Sequence, residues 1–290
     1  MIIKFEPVYF DKIWGGDDFS RQFNYSTGPL CGEAWGISAH PSGQSKIKNG
    51  LYQGMSLKTL FDTHKELFGH YSGTEFPILV KLISAQDDLS IQVHPNDSYA
   101  KQFDSLGKEE CWYVLHAQPN AELLIGHDAS TKEELQHAIG NGTILDRMHH
   151  VSIHEGDFFY IEAGTIHAIM KGTLLLEVQQ SSDLTFRLFD YNRQQNGKSR
   201  ELHIEDGLAC AKIPDNKLIR TPKSTYFQFD LLHNDNVCNQ HSSIHGDFIF
   251  IIQGEGMFDS EQVKAGDFLM IPANQAYTVI GKLLYQKTTF

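Results

Sequence analysis

The chain is 290 residues long, with 41% hydrophobic and 11% aromatic residues, enough to fold unaided around one or two cores. Its 24 Lys and Arg against 36 Asp and Glu leave a formal charge of −12, which argues against a general affinity for nucleic acid or an anionic membrane surface. A few cations gathered in one pocket can still take a small anion, and 15 histidines against 6 Met and 3 Trp direct attention to metal or acid–base chemistry.

The first residues, Met1-Ile2-Ile3-Lys4-Phe5-Glu6-Pro7, lack the apolar stretch of a secretion signal. No apolar run approaches the ~20 residues of a membrane span. Cys31, Cys111, Cys210 and Cys238 are dispersed and form no C-x-x-C motif. The expectation is a cytoplasmic protein with reduced, mostly buried thiols.

In chain order, Ser56 caps a predicted helix over 56–68, with Leu57, Leu60, Phe61 and Phe68 on one stripe. Strands are predicted over 77–83 and 89–94, the second alternating with period two. A short helix follows over 96–103, then a strand over 111–115. Ser130 and the acidic residues behind it open a helix over 130–139. A strand over 174–178 and a helix over 204–211 complete the reading. Many short strands punctuated by Gly and Asn predict a mainly β fold, a sandwich or barrel with a few short helices.

An internal repeat sharpens this. Gly156-Asp157-Phe158-Phe159-Tyr160-Ile161-Glu162-Ala163 returns as Gly266-Asp267-Phe268-Leu269-Met270-Ile271-Pro272-Ala273. This duplicated turn-and-strand resembles a motif of the cupin jelly roll and implies two cupin-type jelly-roll barrels. The expected division is a metal-binding catalytic barrel over 1–195 with N-terminal strands and short helices, a connecting segment over 196–213, and a second, degenerate barrel over 214–290. Gln195-Asn196-Gly197 is turn-like at the start of the connection. His167 of the first copy becomes Tyr277 in the second, so a site that uses His167 has no counterpart there.

Four stretches carry chemistry. Gln92 and His94 are two apart in a strand and point to one face, where both can reach a metal; the bland reading is a strand end with a polar face. Glu110 opens an apolar strand, and a half-buried carboxylate needs a cation; Lys108 shares its face and Glu109 is expected to turn to solvent. The alternative is a solvated Lys-Glu-Glu loop. Ala163-Gly164-Thr165-Ile166 delivers His167 into the next strand, where it is a ligand or a satisfied core histidine. Asp183 and Arg187 are polar in a strand-like context; Arg187 can grip a phosphate with its planar fork, or the two form a structural pair. Together, Gln92, His94, Glu110 and His167 suit a divalent ion such as zinc with a coordination position left for water or substrate.

These residues resemble the short bacterial form of the type I mannose-6-phosphate isomerases. The likeness runs through Ile13-Trp14-Gly15-Gly16, Gly32 to Ser38, Phe76 to Lys81, Leu89 to Asp97, Gly107 to Tyr113, Gly164 to His167 and Gln179 to Arg187. It implies an aldose–ketose isomerase holding one zinc ion per chain, which interconverts mannose 6-phosphate and fructose 6-phosphate through a cis-enediol. It further implies Gln92, His94, Glu110 and His167 as zinc ligands, Lys81, Lys108 and Arg187 around the sugar phosphate, and Lys108, Asp183 and Arg187 as catalytic residues. Asp183 is assigned ring opening. Lys108 serves as base if zinc and neighbouring cations lower its pKa; a zinc-bound hydroxide or Asp183 is the alternative. The expected partner is a small sugar phosphate, with no nucleic acid or membrane, in a monomer or homodimer.

The chain departs from longer members at Gly107-Lys108-Glu109-Glu110, where they carry an Asn-His-Lys-Pro-Glu type of sequence, and it has no room for their helical insertion. Two other classes share the barrel and ligands: another metal-dependent cupin enzyme, such as an iron dioxygenase or a different sugar isomerase, and a non-catalytic sugar-binding cupin. A dioxygenase would not need Lys81, Lys108 and Arg187 gathered for a phosphate, and a binding module would be favoured by a missing ligand, whereas all four are present.

Overall fold

The structure, a computed structural model, describes residues 1–195 and 197–290. It is mainly β, with short helices, as the strand punctuation predicts. The expected turn at 195–197 includes Asn196, which lies outside the described residues.

Two antiparallel sheets face each other in the first part of the chain. One has six strands, in the order Phe158–Ile161, Glu110–Ala117, Thr173–Gln180, Ile78–Ala85, Cys31–Ile37 and Val8–Gly16. The other has five: Phe186–Phe189, Ile91–Val93, His167–Ile169, Glu122–His127 and Met148–Ser152. Period-two alternation decides what lies between them. Trp112, Val114, Leu175 and Ile83 of the six-stranded sheet meet Leu123, Ile125 and Ile169 of the five-stranded one. Each large side chain buried there, such as Phe159, contributes roughly 1.5–3 kcal/mol.

The intervening residues of the six-stranded sheet point the other way. Val80, Leu82, Cys111, Leu176 and Val178 pack with Phe248, Phe250 and Phe268 of the C-terminal part. This sheet is therefore buried on both faces, which is why Ile78–Ala85 and Thr173–Gln180 read as continuous apolar runs. The outer face of the five-stranded sheet is covered by helices: Leu124, Ala168, Phe186 and Leu188 pack with Leu135 and Ile139 of helix Lys132–Gly140 and Leu208 of helix Ile204–Cys210.

An eight-stranded sheet forms the C-terminal part, with Ala276–Thr289 and Asp247–Phe258 at its centre. It also takes the first strand of the chain. Ile3–Glu6 pairs with Phe268–Ile271 and Lys46–Ile47. This corrects the placement of all N-terminal strands within 1–195. The reason is burial: Ile3 and Phe5 alternate inward and join the core that contains Phe248 and Met270.

Two helix boundaries also differ. The stripe over 56–68 is an α-helix, Leu57–Thr63, followed at His64 by a 3₁₀ turn, Lys65–Phe68. Ser56 caps it as expected, accepting from Thr59 N at 3.2 Å. Gly69 ends the turn at φ 58°, and a Cβ there would lie 1.8 Å from the Ile244 carbonyl, so only glycine allows this approach to the C-terminal sheet. The helix expected from Ser130 starts at Lys132 instead. Thr131 is the cap, because its hydroxyl accepts from Glu134 N while Glu134 reaches back to Ser130 N.

Candidate metal centre and active site

Sheet register assembles the site. In the five-stranded sheet, Gln92 lies opposite both Arg187 and His167, so the three form one row on one face. His94 follows two residues beyond Gln92, just past the strand end. In the facing sheet Glu110 stands opposite Gln179, and Glu177 lies between Trp112 and Lys81.

His94, Glu110 and His167 are buried, and one ligand atom of each lies within 4.8 Å of the others. His94 Nδ1 is 3.0 Å from the Leu184 carbonyl and His167 Nδ1 is 2.9 Å from the Thr165 carbonyl. A carbonyl only accepts, so both Nδ1 atoms donate and both Nε2 lone pairs face the cluster. The two Nε2 atoms lie 3.5 and 3.4 Å from the two oxygens of Glu110. Both imidazoles thus face one carboxylate, and zinc takes such nitrogen and oxygen donors. The Gln92 amide is 3.4 Å from His167 Nε2, and a half-turn of the amide presents its oxygen. The donor set therefore fits a divalent ion of zinc's type.

Electrostatics agree. Burial holds His167 down at about 4 and His94 well below the usual range, so both imidazoles are neutral ligands near pH 7. Burial and the neighbouring Glu177 push Glu110 up, although Lys108 pulls the other way. An extra cation beside Glu110 is what that environment favours.

Beside the cluster runs a ladder of alternating charge, in the order of the strands across the sheet. Lys12 Nζ is 3.0 Å from Glu33, and Lys81 Nζ lies 3.9 Å from Glu33 and 3.0 Å from Glu177. Lys108 Nζ lies 3.4 Å from Glu177 and 3.1 Å from His94 Nε2, and it also bonds to Glu110. Trp35 and Trp112 donate their indole N–H groups to Glu33 and Glu177 at 2.7 and 3.0 Å. Buried charges are costly alone, and here Glu33, Lys81, Glu177 and Lys108 each have an opposite on either side. Burial works against the Glu33 carboxylate, but Lys81 and Lys12 hold it down at about 2. Burial likewise opposes the charge on Lys81, yet Glu177 and Glu33 raise its pKa overall.

The structure thus brings Gln92, His94, Glu110, His167, Lys81 and Lys108 together. The charged contacts of Lys108 are carboxylates rather than the neighbouring cations expected. Glu109 does not turn to solvent: it is half-buried and accepts from the Tyr160 hydroxyl. Asp183 and Arg187 form no ion pair with each other among the described residues, which removes the structural-pair reading. Arg187 Nη1 donates to the Glu201 carbonyl at 2.8 Å and its buried Nε has no partner, while Arg193 and Arg200 are taken up by Asp190. Asp183 is exposed, and its charge reaches His40 and Lys81. Sequence reasoning missed Glu33 and Glu177. A carboxylate inside Leu174-Leu175-Leu176-Glu177-Val178 is the same signal that marks Glu110.

These features define a β-sandwich protein with an internal His/Glu/His group that could hold a metal ion, flanked by lysines. Residues 2–141 match the family described as phosphomannose isomerase type I, catalytic domain. The chain is 39% identical over 293 residues to mannose-6-phosphate isomerase ManA of Bacillus subtilis, covering 92% of each. It is 46% identical over 216 residues to mannose-6-phosphate isomerase of Streptococcus mutans, covering 72% of this chain and 68% of the relative. The crystal structure of the mannose 6-phosphate isomerase from Bacillus subtilis superposes with a TM-score of 0.94 at 35% identity, over 100% of this chain and 99% of that one. The chain belongs to the type I phosphomannose isomerase family.

Proposed function

We propose that the chain is a zinc-dependent mannose-6-phosphate isomerase. The observation that carries this is the convergence of two neutral imidazoles and a buried carboxylate beside Lys81 and Lys108, in a chain of this family. Gln92, His94, Glu110 and His167 would hold the ion. When bound, it supplies Lewis-acid polarisation of the substrate oxygens.

The chain's own residues supply the rest. The sugar ring must open, lose the proton at C2 and regain one at C1, passing through a cis-enediol. Asp183, which is exposed, is the group proposed for ring opening. Arg187, whose Nε has no partner and whose guanidinium binds no carboxylate among the described residues, is proposed to meet the phosphate or the developing enediolate. Lys81 and Lys108 add positive charge, and Lys108 is the candidate proton carrier nearest the ligands. If Lys108 is that carrier, Lys108→Met lowers turnover by roughly 10²–10⁴; near-normal turnover excludes it.

The two strand-rich parts are further proposed to be cupin-type barrels, the C-terminal one without a metal. Among the described residues no helix is long and apolar enough to cross a membrane. A cytoplasmic setting is proposed on the four free cysteines, which such a compartment keeps reduced. A coupled assay of mannose 6-phosphate conversion, with and without chelator, tests the function. The expected result is turnover that chelation abolishes and added zinc restores. Absence of turnover with the metal-loaded protein refutes the reading.

A further inference from the structure

The segment joining the two parts touches the turn from which His167 projects. Lys212 N donates to the Gly164 carbonyl at 2.8 Å. Lys212 Nζ donates to Glu162 at 2.6 Å and to the Thr165 hydroxyl at 3.3 Å. The Lys212 carbonyl is in turn held by the buried ring of His127, at 3.0 Å from Nε2, and His127 N donates to the Asp215 carbonyl. The packing is close. Gly164 has φ 85°, and a Cβ on it would lie 2.6 Å from the Cys210 carbonyl.

The same turn serves both histidines. Gly164 N donates to the His94 carbonyl at 2.9 Å, and the Thr165 carbonyl fixes His167 Nδ1. The equivalent turn of the C-terminal sheet, at 273–275, precedes Tyr277, and its backbone is held by the Leu67 and Ser243 carbonyls and the Ser242 hydroxyl, with no lysine bonded to it among the described residues. The clamp accompanies the histidine-bearing copy.

We infer that Lys212 is a positioning residue for the metal centre: its ammonium and backbone pin Gly164 and Thr165, and Thr165 orients His167. Groups that orient ligands set affinity as the ligands themselves do. The inference rests on the metal reading above. It gives the connecting segment a role beyond joining two parts.

The test is zinc affinity of the full chain, measured by competition with a chromophoric chelator after metal removal, alongside the thermal midpoint of the metal-free protein. Wild-type protein must bind zinc, or the metal reading itself fails and the inference with it. Given that binding, Lys212→Met weakens affinity by roughly 10–100-fold, and Lys212→Arg largely restores it. Lys223→Met is the control, since Lys223 reaches the same Glu162 at 3.4 Å but not Thr165; its affinity stays at the wild-type level. If Lys212→Met does not fold, Thr165→Val removes the hydroxyl acceptor and is read instead. Unchanged zinc affinity in the folded variant, with only the thermal midpoint lowered, overturns the inference.

Discussion

The candidate metal centre has a positional counterpart in the C-terminal sheet, built from different side chains. Glu110 pairs across its ladder with Ile161, and Asp247 pairs with Ile271, the repeat copy of Ile161. His167 lies opposite Gln92, and Tyr277 lies opposite Gln240. Ser242 follows Gln240 by two, as His94 follows Gln92. The quartet Gln92, His94, Glu110, His167 therefore answers to Gln240, Ser242, Asp247, Tyr277. In the second set the Tyr277 hydroxyl donates to Asp247 at 3.0 Å and the Ser242 hydroxyl to the Pro272 carbonyl at 2.6 Å. Hydroxyls carry their own protons and close the cluster internally. Neutral imidazoles whose Nδ1 protons are spent on carbonyls instead present lone pairs inward. One scaffold thus gives a self-satisfied polar core or a set of inward-facing lone pairs, according to three side chains.

The largest expected contrast is between the two carboxylates. Glu110→Ala should lose the ion and, because a Lewis acid is worth several kcal/mol, at least roughly a thousandfold in turnover. Asp247→Asn should leave turnover of the folded protein unchanged. The coupled assay, read with metal content, checks both. Next is Arg187→Ala, expected to cost roughly 2–4 kcal/mol in kcat/KM, as for loss of one oxyanion donor. An unchanged kcat/KM refutes its role.

The charge ladder makes a pH-dependent contrast. Glu33 is held at about 2 against the ordinary 4.5, so its ionised form stabilises the fold fully above 4.5 and loses that contribution as pH falls towards 2. Wild-type protein should lose up to roughly 3 kcal/mol more than Glu33→Gln across that window, measured by denaturant midpoints. Asp267, bridging Lys4 and Lys48 in the C-terminal sheet, is also lowered, although burial opposes this, and should add a smaller loss of the same sign. The smallest effect is Tyr277→Phe. It leaves the buried Asp247 short of one donor and should cost about 1–3 kcal/mol of stability with turnover intact.

The grouping of His94, Glu110 and His167 was legible in the sequence because its pieces are local. Gln92 and His94, or Lys108 and Glu110, share a face by the two-residue period alone, and the Gly164-Thr165 turn places His167. The repeat exposed the change to Tyr277 in the same way. The charge ladder was not legible. Lys12, Glu33, Lys81 and Glu177 sit on four strands, and their pairing depends on a sheet order that does not follow chain order. The first strand's place beside Phe268–Ile271 is likewise set by distant packing, since Ile3 and Phe5 would suit either core. The break at His64 lies inside a good apolar stripe, because periodicity reports which residues are buried and not where the chain must turn to bury them.

Metal analysis of three proteins tests the central claim most directly: wild type, a His94→Ala/His167→Ala double variant, and an Asp247→Asn/Tyr277→Phe double variant. One divalent ion per chain in the first and third and none in the second is the expected result. A wild-type protein without stoichiometric metal, or a His94/His167 variant that keeps it, contradicts the account.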